Sequence, residues 1–246
     1  METTWRNQLG ESERRKIVQK ASECIWTHEG SEAFKYLTEK RGLSETVIRQ
    51  FQIGFVPLHV NHQTAGRIIT PIFDAYGELV AISTRHLYKE KSQSFWHEDF
   101  DKSFYLYGLH LAKKHIIKTG KALLVEGEFD VCYLHSHDIP IAVGVCGSTF
   151  GIFQASLLAR YCEEIFLLYD GDSGGKAAFK RSRDFYVDVN LDVGALGRDL
   201  VKLIPVRMPK GMDPDDFVKE FGKDGLIDLM KKSKEEFTQF GYAGDF

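Results

Sequence analysis

Metal-binding cysteine spacings are missing from this 246-residue sequence: Cys24, Cys132, Cys146 and Cys162 form no CxxC or CxxH pair. That excludes a zinc site, and four cysteines in mostly apolar surroundings read as reduced thiols without disulfides. No apolar run is long enough to span a bilayer, and Met1-Glu2-Thr3-Thr4 opens no signal-peptide pattern, so the expectation is a soluble cytoplasmic chain with no membrane partner. The phosphate-cradling pattern GxxxxGK[ST] is absent as well, which excludes a P-loop nucleotide site. A large surplus of either charge is also lacking: the net charge of −3 argues against binding nucleic acid with the whole surface. What is present, 43% hydrophobic and 27% charged residues, suffices for one large or two small globular domains.

The charge is unevenly divided. Residues 1–120 hold 17 Lys and Arg against 14 Asp and Glu, and the remainder holds 15 against 21. In the acidic part, three apolar runs each end in carboxylates. Ala122-Leu123-Leu124-Val125 leads to Glu126-Gly127-Glu128-Phe129-Asp130, and Ile165 to Tyr169 leads to Asp170-Gly171-Asp172-Ser173-Gly174-Gly175. Leu203 to Met208 leads to Asp213-Pro214-Asp215-Asp216. Continuous apolar runs read as buried parallel strands, whose carboxyl ends are where open α/β sheets place their sites. Oxygen ligands without histidine or cysteine select Mg²⁺ or Mn²⁺, and crowded carboxylates are compatible only with a cation between them. The chemistry implied is phosphoryl or nucleotidyl transfer. A calcium loop starting at Asp170 is excluded, since its twelfth position is Arg181 where a bidentate Glu is required.

Glu126-Gly127 with Asp130, and Asp170-Gly171-Asp172 followed by Gly175, resemble the Toprim domain of primases, topoisomerases and some nucleases. Three further features resemble the DnaG-type primase branch: the turn Gly147-Ser148-Thr149, the helix-opening Gly174-Gly175-Lys176-Ala177-Ala178, and Asp213-Pro214-Asp215. The resemblance runs from about Lys35 to Lys232. It implies Glu126, Asp170 and Asp172 as catalytic residues and Glu126, Asp170, Asp172, Asp213 and Asp215 as metal ligands. Asp130 stands in a second tier, because it could instead cap the helix it opens.

Upstream, helical spacing predicts helices over Glu11 to Thr27, Ser31 to Lys40, and onward from Ser44. The stretches Arg67 to Phe73 and Glu78 to Arg85, joined by Asp74-Ala75-Tyr76-Gly77, predict a β-hairpin. The hairpin resembles the basic subdomain of primases, and the resemblance carries a template- or nucleotide-binding role onto Arg67, Arg85, Lys91 and Lys102. Of the aromatic residues that follow, Trp96 is the candidate for an exposed stacking platform, while Phe104 to Tyr107 reads as core.

The expected organisation is α/β, with an α+β N-terminal part. A helical and β-hairpin basic subdomain (1–119) precedes a Toprim parallel sheet covered by helices (120–208), and a short helical segment with the Asp-Pro-Asp motif follows (209–246). The resemblance implies a primase core that joins ribonucleoside triphosphates on a single-stranded DNA template at the replication fork. A replicative helicase and a separate zinc-binding domain or protein are the partners open to such a chain. Two rivals stand beside it: a Toprim-type nuclease using the same carboxylates, and a silent primase-like DNA-binding regulator.

Overall fold

The computed structural model describes residues 9–89, 95–147, 150–169 and 201–240. Two compact units divide at Asp101 and Lys102. Among the described residues no helix is long and apolar enough to cross a membrane.

The first unit opens with α1 (Glu11–Cys24), α2 (Ser31–Lys35), which continues through a wider turn at Tyr36–Lys40, and α3 (Glu45–Gln50). Ser44 caps α3, its Oγ accepting from the Val47 amide at 3.3 Å, as its residue type suggests. A four-stranded antiparallel sheet follows in the order β1 (Gly54–Val56), β2 (Arg67–Phe73), β3 (Leu79–His86), β4 (Phe95–His97). The expected hairpin is β2–β3, and Asp74 closes its turn by accepting from the amides of Tyr76 and Glu78 at 2.8 and 2.9 Å. Helix α1 lies directly on the sheet: Val18 and Ala21 pack with Val56, Ile69 and Ile82. A Cβ at Gly54 would stand 2.2 Å from the Ala21 carbonyl carbon, so only glycine lets strand and helix meet there. Burying Ile69 or Ile82 completely contributes roughly 1.5–3 kcal/mol each.

Trp96 is not the exposed ring that its polar surroundings suggested. It pairs with Thr84 across β3–β4, which turns its indole onto the α1 face against the core that contains Ile69 and Ile82.

The second unit is a five-stranded sheet in the order β5-β7-β6-β8-β9. Four strands are parallel: β6 (Lys121–Val125), β7 (Ala142–Val145), β8 (Glu164–Tyr169) and β9 (Lys202–Arg207). The apolar runs read as strands are these, almost wholly buried. The all-parallel expectation needs one correction, because β5 (Leu106–Tyr107) is an antiparallel edge strand on β7. Leu106 and Tyr107 are buried as expected, but Phe104 is 50% exposed. Helix α4 (Leu109–Thr119) was grouped with the N-terminal part; it belongs to this unit, burying Leu109, Ala112 and Ile116. The crossovers contain α5 (Glu128–Ser136) and α6 (Ile152–Ala159), and α7 (Pro214–Phe240) packs on β9 and α5. Gly222, at φ 69° and ψ −177°, breaks α7 into two helical stretches.

His135, on the last turn of α5, bonds through Nε2 to the Ala142 carbonyl at 2.9 Å. Burial pushes its imidazolium down to about 4, against which the carbonyl bond acts only partly. A histidine kept neutral in the fold takes up a proton more readily when unfolded. Stability is therefore intact above pH 6.5 and falls as the pH drops from 6.5 towards 4, by at most about 3 kcal/mol. Urea midpoints at pH 7 and pH 5 should separate more for the parent chain than for His135→Gln; equal separations would remove His135 as the cause.

Candidate metal and nucleotide site

The order of the parallel strands explains why carboxylates gather at one edge. From β6 the chain crosses outward to β7, then returns to the other side of β6 as β8 and moves outward again to β9. The direction reverses between β6 and β8, and ligands bind outside the carboxyl ends of strands at such a point. Register makes those ends level: Leu124 pairs with Leu167, and Tyr169 pairs with Arg207.

Glu126 follows the last residue of β6 and is exposed at that edge. Gly127 begins α5, its amide donating to Asp130 Oδ2 at 3.0 Å. Asp130 thus carries the capping role, with one oxygen engaged in the helix start. Strand β8 ends at Tyr169; Asp170 and Asp172 follow in sequence and lie outside the described residues, as do Ser148, Thr149 and Lys91. Beyond β9, Asp213 caps α7, its Oδ1 accepting from the Asp216 amide at 2.7 Å, and Asp215 is buried in the first turn at 7% exposure. Among the described residues, no three potential ligand side chains form a metal-holding group.

Carboxylates of the first and third clusters act on the same helix, α5, against which α7 packs. The buried Cys132 thiol is pushed up, first by burial and then by Glu128, Asp130 and Asp215. Tyr133 on the same helix is raised by burial and then by Asp215, Asp216 and Asp213. Carboxylates from both strand ends therefore act on α5. The donors are all oxygens, a set that fits a hard divalent cation.

Lys102 stands with this edge, in the second unit, and not with the hairpin. Its Cδ would lie 3.5 Å from a Cβ placed on Gly147, just past the end of β7. The neighbouring Cys146 thiol, raised by burial, is raised further by Glu128 and lowered by Lys102, so a cation and a carboxylate flank it. Gln154, which the sequence reading missed, supports this turn: it is buried, and its Nε2 donates to the carbonyls of Lys102 at 3.1 Å and Tyr105 at 2.8 Å. Only its position three residues after Gly151 hinted at a structural role, as the partner of a helix-capping pair.

The hairpin arginines belong to the first unit and face opposite ways. Arg67 pairs with His86 and Arg85 with Ile68, and neighbours along a strand alternate faces. Arg67 donates from Nη1 to Thr84 Oγ1 at 3.2 Å, and burial lowers its guanidinium from its ordinary value. Arg85 lies over the rings of Phe95 and Tyr36, at 5.0 and 5.8 Å from their centroids. Lys40 and Arg41 approach the same Tyr36 ring, and Arg41 Nε donates to its hydroxyl at 2.9 Å. Nothing in the sequence spacing of Tyr36, Lys40 and Arg41 links them to Arg85, so this concentration of cations is visible only in the fold.

A Toprim-like family model matches residues 123–218. The DNA primase of Aquifex aeolicus is 31% identical over 239 residues, covering 84% of this chain and 46% of its own length. The E. coli primase catalytic core superposes with a TM-score of 0.79 at 25% identity, covering 96% of this chain and 85% of that one. A DnaG primase catalytic domain bound to single-stranded DNA gives 0.78 at 24%, with 96% and 86% covered, a likeness of fold. The chain spans less than half the length of the Aquifex and Lactococcus lactis primases that it matches.

Proposed function

The chain is a DnaG-type primase catalytic core in sequence and fold, and on that premise we propose that it joins ribonucleoside triphosphates into short RNA on single-stranded DNA. The observation that carries the reading is the level carboxyl edge of β6, β8 and β9, with Glu126 at one end and the Asp213–Asp215 turn beyond the other. In the reaction, the 3′-oxygen of the growing strand bonds to the α-phosphorus of a triphosphate and pyrophosphate leaves.

Glu126, Asp170, Asp172, Asp213 and Asp215 would hold Mg²⁺ or Mn²⁺, which when bound supplies Lewis-acid stabilisation of charge at the α-phosphate. Exposed Glu126 orients the attacking hydroxyl and receives its proton. Lys102 offsets phosphate charge beside the carboxylates, and Gln154 holds the turn that carries it. Asp130 serves first as a cap, and supports the site from the start of α5. Arg67 and Arg85, on opposite sheet faces, meet different parts of the template, and Lys91 is assigned to the same basic set. Start-site recognition and delivery to the fork fall to a zinc-binding domain and a replicative helicase.

The nuclease reading predicts a different product from the same carboxylates. Incubating the chain with labelled ribonucleotides and mixed single-stranded templates should give short RNA with Mg²⁺ or Mn²⁺, and none with EDTA. Cleaved template without labelled RNA would favour the nuclease.

A further inference from the structure

Phe104 and Phe153 each leave about half of their surface in water, 50% and 55%, yet their rings touch, with centroids 4.8 Å apart and planes inclined by 32°. A single exposed aromatic is ordinary on a protein surface. Two on different elements, held in contact, form a rigid apolar face. Phe104 ends the short turn Lys102–Phe104, and Phe153 is in the first turn of α6. The Gln154 side chain fastens one to the other. It is 1% exposed, donates to the carbonyls of Lys102 and Tyr105, and accepts from the Gly151 amide at 3.2 Å through Oε1. Separating the rings would break these buried hydrogen bonds and leave their polar groups unsatisfied.

The same turn carries Lys102, whose stem lies against Gly147 at the end of β7, one strand from β6 and Glu126. Aromatic faces beside a cation are what an unstacked base and its phosphate require. We infer that the Phe104–Phe153 pair is a stacking platform for a base of the single-stranded DNA template, with Lys102 meeting the adjoining phosphate. The inference rests on the function proposed above and adds a subsite to it. Neither ring carries a hydrogen-bonding group that could select one base, which suits a strand that must pass in any sequence.

The test is fluorescence anisotropy with a labelled mixed-sequence DNA oligonucleotide and a matched oligonucleotide lacking bases. Phe104→Ala and Phe153→Ala should each weaken binding of the normal strand by about tenfold, within the range for loss of one base stack. The parent chain should lose a similar factor on the baseless strand, to which the variants bind no more weakly than the parent. Phe104→Trp should retain binding, and its fluorescence should be quenched by the strand. Unchanged affinity in both alanine variants would overturn the platform, as would a loss equal on normal and baseless strands, which signals misfolding or a phosphate effect. A raised KM for ribonucleotides with unchanged strand affinity would overturn it too, because the rings would then serve the incoming nucleotide. Metal-dependent ribonucleotide incorporation by the parent chain judges the primase reading separately, so either can fail alone.

Discussion

Glu126→Gln is expected to reduce ribonucleotide incorporation by about 10²–10⁴-fold, the usual contribution of a positioned acid–base group. Glutamine keeps the size and one oxygen but loses the charge and the capacity to take a proton. Glu126 is exposed and lies just beyond β6, so stability should change by no more than about 0.5 kcal/mol. Initial rates on a primed template, with a urea melt of both proteins, separate the two effects. A variant as active as the parent would remove Glu126 from the chemistry, and one that is inactive because unfolded would make it structural.

Glu98→Ala should instead unfold the first unit at much milder conditions, losing about 3–5 kcal/mol. Glu98 is 1% exposed and accepts from Arg14 Nη2 at 2.6 Å, Arg14 Nε at 2.9 Å, the Leu9 amide at 2.9 Å and the Ile82 amide at 3.2 Å. One carboxylate thereby ties the start of α1 to β3. Its removal leaves the Arg14 guanidinium, 9% exposed, charged without its partner in a site that excludes water. Breaking one member of a buried pair is far costlier than replacing both. Arg14→Leu combined with Glu98→Leu should therefore be closer to the parent in urea midpoint than Glu98→Ala. A Glu98→Ala midpoint equal to the parent's would show that the ion pair contributes nothing.

The parallel sheet was legible because strands covered on both faces leave continuous apolar runs, and Ile165 to Tyr169 is such a run. The carboxylates at those ends were legible for the same reason, since a buried strand can end in charge only where it meets water. Less could be read where one residue of register decides the outcome. With a regular turn, the pairing Phe73 with Leu79 would continue to Arg67 with Arg85, on one face. The irregularity between Ile72 and Phe73 inserts Val80, shifts every later pair, and sends the two arginines to opposite faces. No local propensity marks that shift. The Glu98–Arg14 tie spans 84 residues and was invisible for a related reason, as only the folded sheet brings its partners together. Lys102 resembled the residues before it in composition, while the short pairing of β5 with β7 assigns it to the second unit.

Template-directed synthesis is the central claim, and single-nucleotide extension tests it most directly. A primer annealed to templates differing only in the next base should be extended by the complementary ribonucleotide alone, with Mg²⁺ or Mn²⁺ present and not with EDTA. Extension indifferent to the template base, or metal-dependent cutting of the template without extension, would contradict a primase core.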